Sequence, residues 1–126
     1  GDPVRPGEPA TPPPDGEKPG ELADYLGRKL RAEARGPAGS DHHLFELKAT
    51  GFFSWQISAH DGVSRKRAGR WKLGPTQTLD LVYRETTETP DPAGGPPRVE
   101  LAEGLKRSVP FRVDPGGLVI DGLGFR

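Results

Sequence analysis

From Asp41 onward, apolar side chains recur at every second position, in short runs that glycine- and proline-containing pairs cut apart. That period belongs to a strand with one buried face, and it excludes an amphipathic helix, whose apolar positions return every third or fourth residue. The clearest run is TLDLVYRE, Thr78 to Glu85, where Leu79, Leu81 and Tyr83 share one face and Asp80 and Arg84 the other. In HHLFELKA, His43, Phe45 and Leu47 alternate with Leu44, Glu46 and Lys48; Thr50-Gly51 breaks the run, and FFSWQIS follows with Phe53, Trp55 and Ile57 on one face. Together these two runs predict a hairpin.

Further along, His60-Asp61-Gly62 makes a turn, and Val63 to Leu73 is polar at first and then presents Trp71 and Leu73. Gly74-Pro75 turns the chain again, while residues 86–97 (TTETPDPAGGPP) are too rich in proline for ladder pairing and are expected to form a loop. Three more short strands follow: Val99 to Leu101, Val109 to Val113 and Leu118 to Phe125. Asp114-Pro115-Gly116-Gly117 turns between the last two, with glycine supplying a positive φ. Glu21 to Arg35 has leucines at helical spacing but Gly27 in its middle, and its second half alternates. A short helical or irregular lead-in and a first strand from about Arg28 are expected.

Seven or eight short strands joined by local turns predict an all-β domain. Closing such a meander removes its edges, so the expected fold is a small antiparallel up-and-down barrel of about eight strands, with a two-sheet sandwich as the other arrangement. That domain occupies residues 21–126. Residues 1–20 differ in kind, with seven prolines, four glycines and Val4 as the only large apolar side chain. Such a segment buries too little surface to offset its ordering entropy, so a disordered, extended tether is expected. Its PxxP spacings at Pro3, Pro6, Pro9 and Pro12 are the chance consequence of proline density.

Composition excludes more than it assigns. There is no cysteine, so disulfides, thiol catalysis and thiolate metal sites are excluded, and no stretch resembles the run of about 18 apolar residues of a membrane-spanning helix. The 18 basic and 18 acidic side chains cancel, which argues against nucleic acid as partner. Two basic stretches, Arg28 to Arg35 and Arg65 to Lys72, are expected to be solvated strand faces, with salt-sensitive binding to an anionic surface, phospholipid headgroups or nucleic acid, as the alternative. His42 and His43 point to opposite faces of a strand and cannot chelate together. Asp41 and His60-Asp61 stand at opposite ends of the hairpin and are expected to be solvated turn residues. No nucleophile elbow, phosphate-binding loop or helical paired-histidine motif is present, and no catalytic residue, metal or cofactor is expected.

Several segments carry a resemblance: Tyr25-Leu26-Gly27, the hairpin from Phe45 to Trp55, Gly69-Arg70-Trp71-Lys72-Leu73, Thr78 to Leu81, and Gly116 to Gly122 with Phe125-Arg126. In these pieces and their order the chain resembles the small bacterial lipocalin-like (calycin-type) domains, single barrels often found on secreted proteins and lipoproteins. The resemblance spans roughly residues 25–126. It implies a barrel and leaves the ligand open.

The aromatic set is expected to fill the core, with Trp55, Trp71 and Tyr83 as the side chains to line any ligand pocket at the mouth. The functional expectation is a non-enzymatic, exported binding module of the periplasm or cell envelope. It would be a monomer, tethered to the membrane where a lipid anchor precedes Gly1, holding a small apolar or amphipathic ligand in the barrel mouth. The alternative is a protein–protein interaction or structural accessory domain with a filled core.

Overall fold

The computed structural model describes residues 21–126, and the tether expected over residues 1–20 lies outside the described residues. A capping box between Glu21 and Asp24 starts a single 3-10 turn, Leu22–Tyr25, which ends as Leu26 turns extended. Strands follow as β1 Leu30–Gly36, β2 Gly39–Leu47, β3 Phe52–Ser58, β4 Ser64–Leu73, β5 Thr78–Thr89, β6 Arg98–Asp114, β7 Gly117–Ile120 and β8 Leu123–Phe125. Each pairs antiparallel with its sequence neighbour in one eight-stranded order. The first strand returns to the last through Arg31 and Arg126, which exchange both backbone hydrogen bonds at 2.8 and 2.9 Å. The result is an all-β, up-and-down, nearly closed barrel.

The alternation sets which side chains fill it. Phe45, Phe53, Trp55, Leu79, Leu81, Val109, Leu118, Ile120 and Phe125 all point inward and are buried. The Phe45 and Phe125 rings meet at 5.5 Å between centroids in the middle of the barrel, and neither is exposed to solvent. An eight-stranded barrel is just wide enough to be filled by its own side chains, and these rings fill this one. Gly69 on β4 lets the wall bend tightly there. A Cβ at that position would lie 2.0 Å from the Val82 carbonyl oxygen and 2.6 Å from the Tyr83 Cα.

The strand boundaries differ from expectation in the C-terminal third, for local reasons. Thr86 to Thr89 extend β5, because β-branched residues favour the pleat, and this leaves only residues 90–97 for the loop. Val99 to Leu101 and Val109 to Val113 are not two strands but parts of one, β6. Gly104, which reads as a break, is a bulge: Glu103 and Gly104 together oppose Arg84, and Gly104 has φ +71°. Conversely, Leu118 to Phe125 is two strands, folded at Asp121-Gly122 with φ of 53° and 83°, the geometry of a two-residue hairpin turn. At the preceding turn neither Gly116 nor Gly117 takes positive φ; Gly117 instead admits the Phe125 carbonyl, 2.0 Å from where its Cβ would stand.

Candidate functional site

The three aromatic side chains expected at a mouth do not converge. Trp55 is 4% exposed, with the Phe45 ring edge-on at 5.3 Å. Tyr83 meets Phe53 edge-on at 5.9 Å. Between Trp55 and Tyr83 stands the Arg67 guanidinium, 4.8 Å from the first ring centroid and 6.0 Å from the second. Trp71 lies elsewhere, two inward positions further along β4, beside Leu81. The fold therefore brings Trp55 and Tyr83 together around a cation and holds Trp71 apart.

The first arrangement is a polar network on the inner wall. Arg67 Nε donates to Glu85 Oε1 at 3.0 Å, and Arg65 Nε lies 3.6 Å from Glu85 Oε2. Only 13% of the Arg67 side chain is exposed. One carboxylate thus pairs with two guanidiniums and leaves the group one net positive charge, which cation–π contact of Arg67 with Trp55 helps to accommodate where water is scarce. On the other side of Trp55, its Nε1–H donates to His43 Nδ1 at 2.9 Å. That bond requires the neutral imidazole with its proton on Nε2. Burial holds the His43 pKa below its ordinary value, with Arg67 and His42 acting in the same direction and Asp41 opposing.

Sequence reasoning missed Arg67, Glu85 and His43 as a group. The signal was present: Arg65, Arg67 and Gly69 stand in phase with Trp71 along β4, so they occupy its inward-facing positions. Asp41 and His60 are a correction of another kind. They were placed at opposite ends of a hairpin, yet the ends of an antiparallel hairpin lie side by side, and Asp41 Oδ1 receives the His60 backbone N–H and meets its Nδ1, both at 3.0 Å. The contact lowers the Asp41 pKa and raises that of His60, chiefly through the side-chain hydrogen bond. Among the described residues no three His, Asp or Glu side chains cluster as metal ligands would.

The second arrangement surrounds Trp71. Its indole N–H donates to the Lys48 carbonyl at 2.9 Å, which fixes the ring against the β2–β3 turn, and its backbone N–H donates to the Gly51 carbonyl at 3.0 Å. That turn is a type I geometry closed by Gly51 at φ +94°, with Gly51 N–H on the Lys48 carbonyl. Trp71 lines a cleft of about 440 Å³ together with Thr50, Gly51, Arg70, Lys72, Asp80 and Val82. Its lining joins an aromatic face and an aliphatic side chain to two cations and one carboxylate, a composition suited to an amphipathic guest.

A scan against protein-family profiles, a search of curated proteins and a search of solved structures each find no match to this chain. The fold therefore stands on its own geometry: an all-strand, antiparallel, nearly closed eight-stranded barrel, compatible with a lipocalin-like architecture.

Proposed function

We propose that the chain is a non-enzymatic, calycin-type binding module of the cell envelope, and that it holds a small apolar or amphipathic ligand at the Trp71 end of the barrel. The observation that carries this reading is the cleft of about 440 Å³ at a tryptophan whose ring is held by an indole hydrogen bond at 2.9 Å. Such a volume falls within the range of small-molecule sites, and the ring needs no rearrangement to receive a guest. The binding site in this reading is at the barrel end and excludes Trp55 and Tyr83, which belong to the core and the polar network. Export is supported by the resemblance to domains of secreted proteins and lipoproteins, and the proline-rich sequence of residues 1–20 suits a spacer.

The chain has two tryptophans, one buried and one in the cleft, so fluorescence separates them. Titration with a fatty acid or a hydrophobic dye is expected to shift the emission of the parent chain. The response should vanish in Trp71→Phe and survive in Trp55→Phe. A response that survives Trp71→Phe would sink the reading.

A second reading, an interaction domain with a filled core, is favoured by a specific observation. From Arg98 to Glu103, β6 is an exposed edge paired with β5 alone, and it carries Val99 and Leu101 into solvent. Capture of a protein partner that depends on Leu101, with no fluorescence response to apolar ligands, would select it.

A further inference from the structure

We propose that the outer face of β3 to β6 docks the domain onto an anionic phospholipid bilayer. The register lines up Phe52, Arg70, Val82 and Lys106 across four neighbouring strands. Lys48 extends the row, since its N–H bonds the Phe52 carbonyl at 2.8 Å and alternation turns its side chain outward. The row thus reads cation, aromatic, cation, aliphatic, cation. At about 4.8 Å per strand it spans about 19 Å.

Phe52 is 47% exposed and Val82 49%, although each sits on a strand paired on both sides. The Arg70 guanidinium lies 5.1 Å above the Phe52 ring, which holds the charge beside the apolar surface. The adjoining row carries Lys72, Asp80 and Ser108; Ser108 Oγ donates to Asp80 Oδ1 at 2.7 Å. Together the two rows hold four cations, Lys48, Arg70, Lys72 and Lys106, against one carboxylate. None of the four forms an ion pair among the described residues.

Cations that pair with no carboxylate among the described residues, interleaved with apolar groups outside the core, match a surface with phosphates above and acyl chains beneath. Interfacial binding draws on both: buried apolar area and attraction to anionic headgroups. A duplex polyanion would use the cations alone, since its paired bases offer no free face to Phe52 or Val82. This surface shares Arg70, Lys72, Asp80 and Val82 with the Trp71 cleft, and it does not require that the cleft hold a soluble ligand.

The test is co-sedimentation of the full chain with vesicles of phosphatidylcholine containing phosphatidylglycerol, and with pure phosphatidylcholine vesicles. Binding is expected only to the anionic vesicles and should weaken as salt rises. The double variant Lys48→Gln/Lys106→Gln, which leaves every backbone bond in place, should lower the partition constant about 25-fold, at about fivefold per cation. Phe52→Ser should also lower vesicle binding. An unchanged near-UV circular dichroism spectrum would show that the fold persists in each variant. Equal binding to both vesicle types, or no effect of the double variant, would overturn the proposal. So would vesicle binding that Phe52→Ser leaves intact while duplex DNA competes it away, which would mark a polyanion site.

Discussion

His43 shows how one side chain couples burial, hydrogen bonding and charge. Its Nδ1 accepts the Trp55 indole proton, while Arg67 lies over the face of that indole and is tied to Glu85. Protonating His43 would place two donors face to face and add a cation near Arg67. The depressed pKa fixes the sign: the stabilisation is complete above the ordinary value of 6.5 and is lost as pH falls through the depressed one. His60 slopes the opposite way, because its raised pKa gives stability below the ordinary value that is lost as pH rises through the folded one. Urea midpoints taken between about pH 8 and pH 5 in a His60→Ala background should therefore fall toward acid. Replacing His43 by Gln, whose Oε1 can accept the same bond, should flatten that fall; an unchanged acid slope would refute the assignment. Trp55 and Tyr83 were legible as inward-facing residues from alternation alone. Their neighbour Arg67 was not, because a cation on an inward position reads as solvent-facing until its carboxylate is located on another strand.

At the scale of the element, β6 was the hardest to read and is the most divided in character. From Val109 to Val113 its inward side chains, Val109, Phe111 and Val113, pack on the core, and Phe111 to Asp114 pair with β7. From Arg98 to Glu103 it pairs with β5 alone, and both of its faces are exposed. A single glycine joins these halves, so composition there reads as loop and register shows continuous strand. The hairpin β2–β3 was read correctly because Phe45, Leu47, Phe53 and Trp55 all face one core, whereas no core pattern marks residues 98–103. Edges of this kind are managed with bulges and charge, and Gly104, Glu100, Glu103 and Arg98 supply both. Amide hydrogen exchange should divide the strand in the same place. Residues 98–103 are expected to exchange at least about tenfold faster than 109–113, because local opening exposes little apolar area. Uniform protection along β6 would mean that the outer half is covered in solution.

For the molecule as a whole, the interior and the exterior have separate tasks. Phe45, Phe125, Leu118 and Ile120 close the centre to any guest, so recognition moves outward, to the Trp71 cleft and to the row from Lys48 to Lys106. The barrel itself was legible from sequential alternating runs, since local turns leave a meander little choice but to curl. The seam was not legible. It consists of the reciprocal Arg31–Arg126 bonds, a backbone contact that carries no side-chain signature. Because that seam sets the start of the first strand beside the end of the last, the domain's way in and way out are neighbours. A chain so arranged is topologically indifferent to where it begins. Joining residue 126 to residue 21 through a short flexible linker and cutting in the 90–97 loop should give a permuted barrel with the parent's near-UV spectrum, and loss of that spectrum would show that the seam depends on chain order. The same adjacency would let the domain be spliced into a surface loop of a larger protein, with the two cut ends of the host leaving and re-entering at one point.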